Sequence, residues 1–332
     1  MTEREITWEE YDPANAEEVE FLDDRNWFVR GGLNEIIGPP KIGKGTLAST
    51  VINWARRGML NTDGPCSVGI IGREDSFRKV WTPRMKAAGV PKGKVYILRM
   101  LQGQSISLTL DWDELIRVVD KLNLRVVILD ALLDNLSMIT DAHKSQDVRK
   151  DLEPLNNFGE KNDCTFLGFK HPNNQGITLT SWHGGSNAFL QVPRSIVAVC
   201  PHPEDPRYRV VAAMGNYASE AESARFRIVS KKVGVRNPRT GRWTIKTYGK
   251  VANIEPCGLT IHDLIAGKRE TRRGNLDRLL INLTANGGMN GTEVLAKCKE
   301  KGYGEKIVRN HKSLLGILDD GRGWWGSSRA YR

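Results

Sequence analysis

The sequence predicts an α/β fold with a mainly parallel central sheet, on three observations. Short apolar runs alternate with helix-patterned segments up to about residue 200, the signature of parallel strands joined by crossover helices. A glycine-bearing turn, Gly38 to Thr46 (GPPKIGKGT), lies between one such run and one such helix. A second apolar run, Arg125 to Asp130 (RVVILD), ends in a carboxylate.

The turn carries most of the chemistry. Leu33 to Ile37 reads as the strand before it and Leu47 to Arg57 as the helix after it. Strand, glycine-rich turn and helix form the setting that a phosphate-binding loop requires. Backbone N–H groups curl around one anion there, and the helix N-terminus adds its partial positive charge. Gly38, Pro39, Pro40, Lys41, Ile42, Gly43, Lys44, Gly45 and Thr46 are the candidate ATP-binding residues, with Lys44 reaching the β/γ-phosphates. Gly45 stands where a Ser or Thr hydroxyl usually ligates Mg²⁺, and Thr46 comes one residue late. The GKGT pattern also occurs in adenylate-kinase-like enzymes, so the loop alone leaves motor and kinase open.

The remaining elements follow in order. Met1 to Asp24 is acidic and aperiodic, a solvated arm or a segment that packs on a neighbouring subunit. Ser67 to Gly72 (SVGIIG) reads as a buried strand ending at Arg73, Glu74 and Asp75. Phe77 to Ala88 has helical spacing, and Val95 to Met100 is a short strand. Asp111 is placed to cap a helix through Leu122. Asp130 ends the RVVILD strand in the Walker B manner, delivering a carboxylate to a magnesium shell. Val148 to Lys161 is amphipathic, and Pro154 inside it predicts a kink or break. Cys164 to Lys170 is a strand, followed by His171 and a polar loop to Asn187. Ser195 to Cys200, Arg207 to Met214 and Phe226 to Val229 complete the sheet. Ligands in such sheets sit at the carboxyl ends of the strands, where Lys44, Glu74, Asp130 and His171 all fall.

Phe226 to Val233 and Arg242 to Thr247 flank the turn Asn237–Gly241 and read as a hairpin. Lys268 to Arg273 (KRETRR) reads as a basic linker. Leu276 to Leu283, Thr292 to Lys301 and Glu305 to Leu315 then read as three short helices, with Trp324, Trp325 and Tyr331 in a glycine-rich tail. This pattern resembles a winged helix. Lys306, Arg309 and Lys312 on its third helix are candidate DNA contacts, the alternative being a module that docks a protein.

The excess of 49 Lys and Arg over 39 Asp and Glu gives a net charge of +10, which favours an anionic partner besides the nucleotide. Five scattered cysteines without a C-x-x-C pair indicate neither a disulfide framework nor a zinc site. No apolar run approaches membrane-spanning length, so a soluble cytoplasmic protein (host cytoplasm if viral) is expected.

WFVRGGLNEIIGPPKIGKGTLA, GREDS, VVILDALLDNL, KHPNNQ and GGSNAFLQVPRSIVAV, in that order, resemble the RepA-type branch of RecA-like ATPases. That group includes hexameric plasmid and phage replicative helicases. The likeness spans roughly residues 25 to 265. It implies a homo-hexamer acting on DNA, with Lys44 and Thr46 at phosphates, Glu74 positioning water and Asp130 serving Mg²⁺. It also implies His171 as a γ-phosphate sensor and Arg194 reaching a neighbour's nucleotide. The segment MGNY has no lysine where many relatives carry one. The resulting domain reading is 1–24 arm, 25–266 ATPase with closing hairpin, 267–273 linker and 274–332 winged-helix-like unit. A DNA-replication helicase is expected. An ATP-switched regulator or loader, or a nucleotide kinase, are the alternatives.

Overall fold

The computed structural model describes residues 12–72, 75–100, 106–137, 140–173, 182–215, 217, 221–285 and 288–326. One nine-stranded sheet organises the chain, with strands in the order β3-β2-β4-β5-β1-β6-β7-β8-β9. β1 (Gly32–Ile37) lies between β5 (Thr165–Lys170) and β6 (Ser195–Pro201), parallel to both. β2 (Ser67–Gly72) pairs in parallel with β3 (Val95–Leu98) and β4 (Leu124–Asp130), and β4 with β5. The last three pairings, β6 with β7 (Tyr208–Met214), β7 with β8 (Ala224–Arg236) and β8 with β9 (Trp243–Pro256), are antiparallel.

Both faces of the parallel part are covered, which is why its strands read as unbroken apolar runs. Helices α1 (Lys44–Arg57) and α2 (Thr82–Ala88) close one face around Ile36, Leu47, Val51, Val126 and Phe169. Helices α3 (Trp112–Leu122), α4 (Ser145–Asn162) and α5 (Ala188–Gln191) close the other around Leu33, Val127, Leu152, Phe166 and Phe189. Each fully buried Leu, Ile or Phe contributes roughly 1.5–3 kcal/mol, so these two layers hold the strand ends that carry the polar residues.

Several local expectations change. The α4 helix passes through Pro154 without interruption, because Val148, Leu152 and Leu155 stay buried along its core face. Asp111 does precede α3, but its carboxylate accepts from the Ser107 amide and makes no bond to the helix. A π-helical turn, Phe77–Trp81, leads into α2, so the expected single helix is split. The acidic arm is not solvated to its end: Leu22 is fully buried, Asp23 nearly so, and Phe21 bridges to Val29. Residues 1–11 of the arm lie outside the described residues.

The largest change is at 267–273. The expected linker is inside a 24-residue helix, α6 (Ile261–Thr284), which also absorbs the first of the three short helices. Thr260 and Asp263 form a reciprocal capping box at its start, and Lys, Arg and Glu are good helix formers. The two ends of α6 serve different cores. Ile261, Leu264 and Ile265 pack with β6 and β7, while Leu276 and Leu280 pack with Val294, Cys298, Val308 and Trp325. The C-terminal unit adds α7 (Gly291–Glu300), α8 (Glu305–Leu314) and a small antiparallel sheet. Its strands β10 (Met289–Asn290), β12 (Trp324–Gly326) and β11 (Leu318–Asp319) lie in that order. Asn290 caps α7 by accepting from the Thr292 amide.

Among the described residues no helix is long and apolar enough to cross a membrane. All five cysteines are free thiols.

Candidate nucleotide site

The loop Gly38–Gly43 joins β1 to α1 at the carboxyl edge of the sheet. Its glycines answer to close approaches. A Cβ on Gly38 would lie 2.4 Å from the Val199 carbonyl oxygen, and Gly43 has φ +112° with Ile228 of β8 against it. Gly43 is the N-cap of α1, so the first-turn amides of that helix open toward the loop. Lys44, at the first position of α1, is buried, and its ammonium donates to the carbonyls of Gly38 at 2.6 Å and Pro39 at 3.2 Å.

The same ammonium lies 3.1 Å from Nδ1 of His171. An ammonium only donates, so Nδ1 accepts and a neutral His171 ring carries its proton on Nε2. His171 comes immediately after β5, the strand hydrogen-bonded to β1 with Ile37 opposite Lys170. The register alone therefore brings the residue after one strand to the lysine after the other.

Asp130 ends β4, is buried, and is opposite Gly72 at the end of β2. A Cβ on Gly72 would sit 2.4 Å from the Asp130 carbonyl oxygen, so the two strand ends meet only because that residue is glycine. Glu74, two residues further on, lies outside the described residues. Thr46 lies beside β9, with its Oγ1 3.7 Å from where a Cβ on Gly249 would be. Among the described residues no cluster of three or more His, Cys, Asp or Glu could hold a metal ion. A divalent cation would therefore rest on Asp130 and the oxygens of the phosphates themselves, a donor set that suits Mg²⁺, which keeps several waters.

Arg194 is at the opposite edge. It precedes β6, and its amide donates to the Leu33 carbonyl at the start of β1. Its guanidinium pairs with Glu160 at 3.1 Å and reaches the Tyr217 hydroxyl at 3.4 Å. The structure does not bring it to its own chain's phosphate loop.

The three candidate DNA contacts on α8 differ among themselves. Lys306 is exposed. Arg309 pairs with Glu305 at 2.7 Å, and Lys312 pairs with Asp319 at 2.9 Å. Both also lie over the Trp325 ring, at 5.8 and 4.4 Å from its centroid. Lys312 thus fastens α8 to the small sheet, where the sequence suggests a groove-facing cation. Trp325 is core, and Trp324 is 41% exposed.

Two arrangements escaped the sequence reading. Arg84 of α2, paired with Asp75 at 2.7 Å, has its Nη1 2.6 Å from where a Cβ on Gly45 would be. The missing hydroxyl at Gly45 is thus matched by a guanidinium filling the space. Nothing in the spacing of Arg84 signals this. The second is a charged cluster behind the loop. Glu35 in β1 and His183 are fully buried, with Oε1 and Nε2 2.6 Å apart but not aligned as a hydrogen bond. Lys170 donates to the carbonyls of His183 and, at 3.0 Å, Gly184. Burial pushes the Lys170 ammonium below its usual range, against the opposing pull of Glu35. An acid inside the apolar run LNEIIG was the available signal. The cluster anchors the far stem of the 171–187 loop to the strand that leads into the phosphate loop. Residues 174–181 of that loop lie outside the described residues.

A parallel sheet whose central strand feeds a glycine-bearing loop, a buried lysine and a helix N-terminus, with a strand-end aspartate nearby, defines a P-loop NTPase. The comparison with known families agrees. Residues 3–176, just over half of the chain, match the family model described as AAA domain, and the chain belongs to that family of nucleotide-binding P-loop ATPases. A comparison with curated proteins found no match.

Proposed function

We propose that this ATPase is a ring-forming, RepA-type RecA-like motor, a hexamer that translocates on or unwinds DNA during replication. The observation that carries the reading is the 3.1 Å contact between Lys44 and His171. His171 opens the 171–187 loop, so the group that would feel the γ-phosphate begins the segment that would meet DNA. The buried Glu35–His183 pair and Lys170 hold the other stem of that loop, at residues 183 and 184, to β1 and β5.

In this reading Lys44 binds the β/γ-phosphates, and Asp130 holds Mg²⁺ with phosphate oxygens. The ion neutralises charge that develops during phosphoryl transfer. Glu74 orients the attacking water. Asp130 is followed by Ala131 rather than a glutamate, which favours this arrangement over one with the water-orienting acid beside Asp130. Arg194, turned away from its own loop, acts at a neighbour's nucleotide across a ring interface. The three C-terminal helical segments with a three-stranded antiparallel sheet support a winged-helix module.

ATP hydrolysis measured with and without single-stranded DNA, with mass determined in the same buffer, tests the proposal. Stimulation by DNA in a multimer is expected. Conversion of ATP and AMP to ADP faster than hydrolysis would instead make the protein a kinase. ATP-dependent DNA binding without stimulated turnover would make it a switch.

A further inference from the structure

The β8–β9 hairpin is far longer than closing a sheet requires. Its strands have 13 and 14 residues; beyond Arg227 β8 no longer pairs with β7, and nearly every residue from 236 to 247 is exposed. Between Glu222 and Glu255 the chain has nine Lys and Arg and no Asp or Glu; Glu255 pairs with Arg225 at the root, and the ribbon beyond it has no carboxylate of its own.

The pairing register sorts its two faces. Lys232 is opposite Thr247, Gly234 opposite Ile245 and Arg236 opposite Trp243. Residues two apart share a face, so Lys232, Arg236, Trp243 and Ile245 lie together on one side. Val233, on the other side, is buried. Trp243 and Ile245 are 68% and 67% exposed, which is costly for two large apolar residues on an outer face unless something covers them. The Trp243 ring lies along the ribbon over Gly234, whose missing side chain leaves it room, and the Lys86 ammonium is 5.3 Å from its centroid. The surface is thus an indole and an aliphatic side chain fringed by cations.

We propose that this distal face is a nucleic-acid surface that takes single strands, separate from the 171–187 loop and from α8. Cations at intervals along an extended ribbon complement a phosphodiester chain, and an exposed indole offers a stacking platform for an unpaired base. An acidic peptide would satisfy the charges but would leave the indole uncovered.

The root of the hairpin explains how such binding would reach the nucleotide. Ile228 of β8 lies against Gly43, and Gly249 of β9 against Thr46, so the ribbon rests on the phosphate loop and the first turn of α1. A strand seated on the distal face is one rigid element away from the phosphates. This inference rests on the reading of the protein as a DNA-dependent ATPase and extends it to a second contact.

The test uses the full-length protein with ATP and fluorescein-labelled oligo-dT, followed by anisotropy at several salt concentrations. Lys232→Ala combined with Arg236→Ala is expected to lower the salt slope of log affinity by about 1.4, at about 0.7 per phosphate contact on single strands. Trp243→Ala is expected to weaken binding roughly five- to 150-fold with little change of slope, and Trp243→Phe to retain most of it. Unchanged affinity and slope in variants with wild-type circular dichroism overturn the proposal while leaving the functional reading intact. Wild-type protein that fails to bind oligo-dT removes both. A change of assembly mass at unchanged affinity shows that a second copy of the chain covers this face instead, and equal losses on duplex without a Trp243 effect show groove binding instead of stacking. Should a variant unfold, photocrosslinking of wild-type protein to 5-bromo-dU oligonucleotide decides. Crosslinks within 232–246 are expected, and crosslinks confined to other peptides refute the surface.

Discussion

Gly45→Ser restores the hydroxyl that phosphate loops usually carry, and the structure sets what that change must displace. The new Cβ would lie 2.6 Å from Nη1 and 3.3 Å from Cζ of Arg84. Reaching an ordinary contact of about 3.4 Å requires the guanidinium to retreat by roughly 0.8 Å, the far end of a flexible side chain. That retreat stretches its 2.7 Å pair with Asp75, in which both side chains keep about 30% exposure. A partly exposed pair of this kind contributes about 0–1 kcal/mol. Replacing a helical glycine returns a comparable amount of backbone entropy. Stability should therefore change little, with the unfolding midpoint within about 3 °C of wild type. Meanwhile the hydroxyl gains a place in the magnesium shell. A ligand worth about 1 kcal/mol lowers the half-saturating Mg²⁺ for ATP hydrolysis roughly fivefold. Differential scanning fluorimetry and a Mg²⁺ titration of turnover read both quantities. A midpoint lowered by more than about 6 °C, or an unchanged Mg²⁺ requirement, would refute this account of why Gly45 and Arg84 occur together.

Other consequences are equally concrete. Arg194→Ala should retain ATP affinity and lose hydrolysis by about 10³- to 10⁵-fold; mixed with inactive Lys44→Ala it should recover part of the activity, and no recovery in any mixture excludes action across a boundary. Asp23 has its pKa pushed up to about 6 by burial, despite backbone amides that favour its carboxylate. Its folded value exceeds the unfolded one, so its contribution is complete below about pH 4 and is lost as pH rises through 6. Between pH 7 and 5 it should add about 1 kcal/mol, read as an Asp23-dependent part of the pH profile of urea unfolding. Gly159→Ala should destabilise the fold severely, by about 3 kcal/mol or more. Its Cβ would be 2.5 Å from both the Cys164 carbonyl oxygen and the Gly32 amide, all backbone, and a midpoint within 2 °C of wild type would show the contact to be soft.

Much of this fold was legible because its strands are buried on both faces and end in polar residues. GPPKIGKGT, RVVILD and KHPNNQ each mark a strand end, and the register then assembles them. Local signals failed where tertiary packing overrode them. KRETRR reads as a tether by composition, yet the capping box at Thr260 and apolar contacts at both ends of α6 carry the helix through it. Pro154 failed as a breaker for a similar reason, since α4 is held along its length by the sheet. The third helix of the C-terminal unit reads as a row of cations; the Glu305–Arg309 pair is within reach of its i,i+4 spacing, but the pairing of Lys312 with Asp319 depends on a chain return that spacing does not reveal. Arg84 at Gly45 and His183 at Glu35 are likewise meetings of distant segments, invisible until the sheet is built.

The proposed coupling of the phosphate loop to DNA through His171 is tested most directly by His171→Ala. ATP binding, ATP turnover without DNA, and turnover with saturating single-stranded DNA would be measured on one preparation. Lys44, the proposed phosphate ligand, remains, so nucleotide affinity should fall less than threefold. Stimulation by DNA should disappear, because the loop stem no longer touches Lys44. A variant that DNA stimulates as strongly as wild type would contradict the central claim.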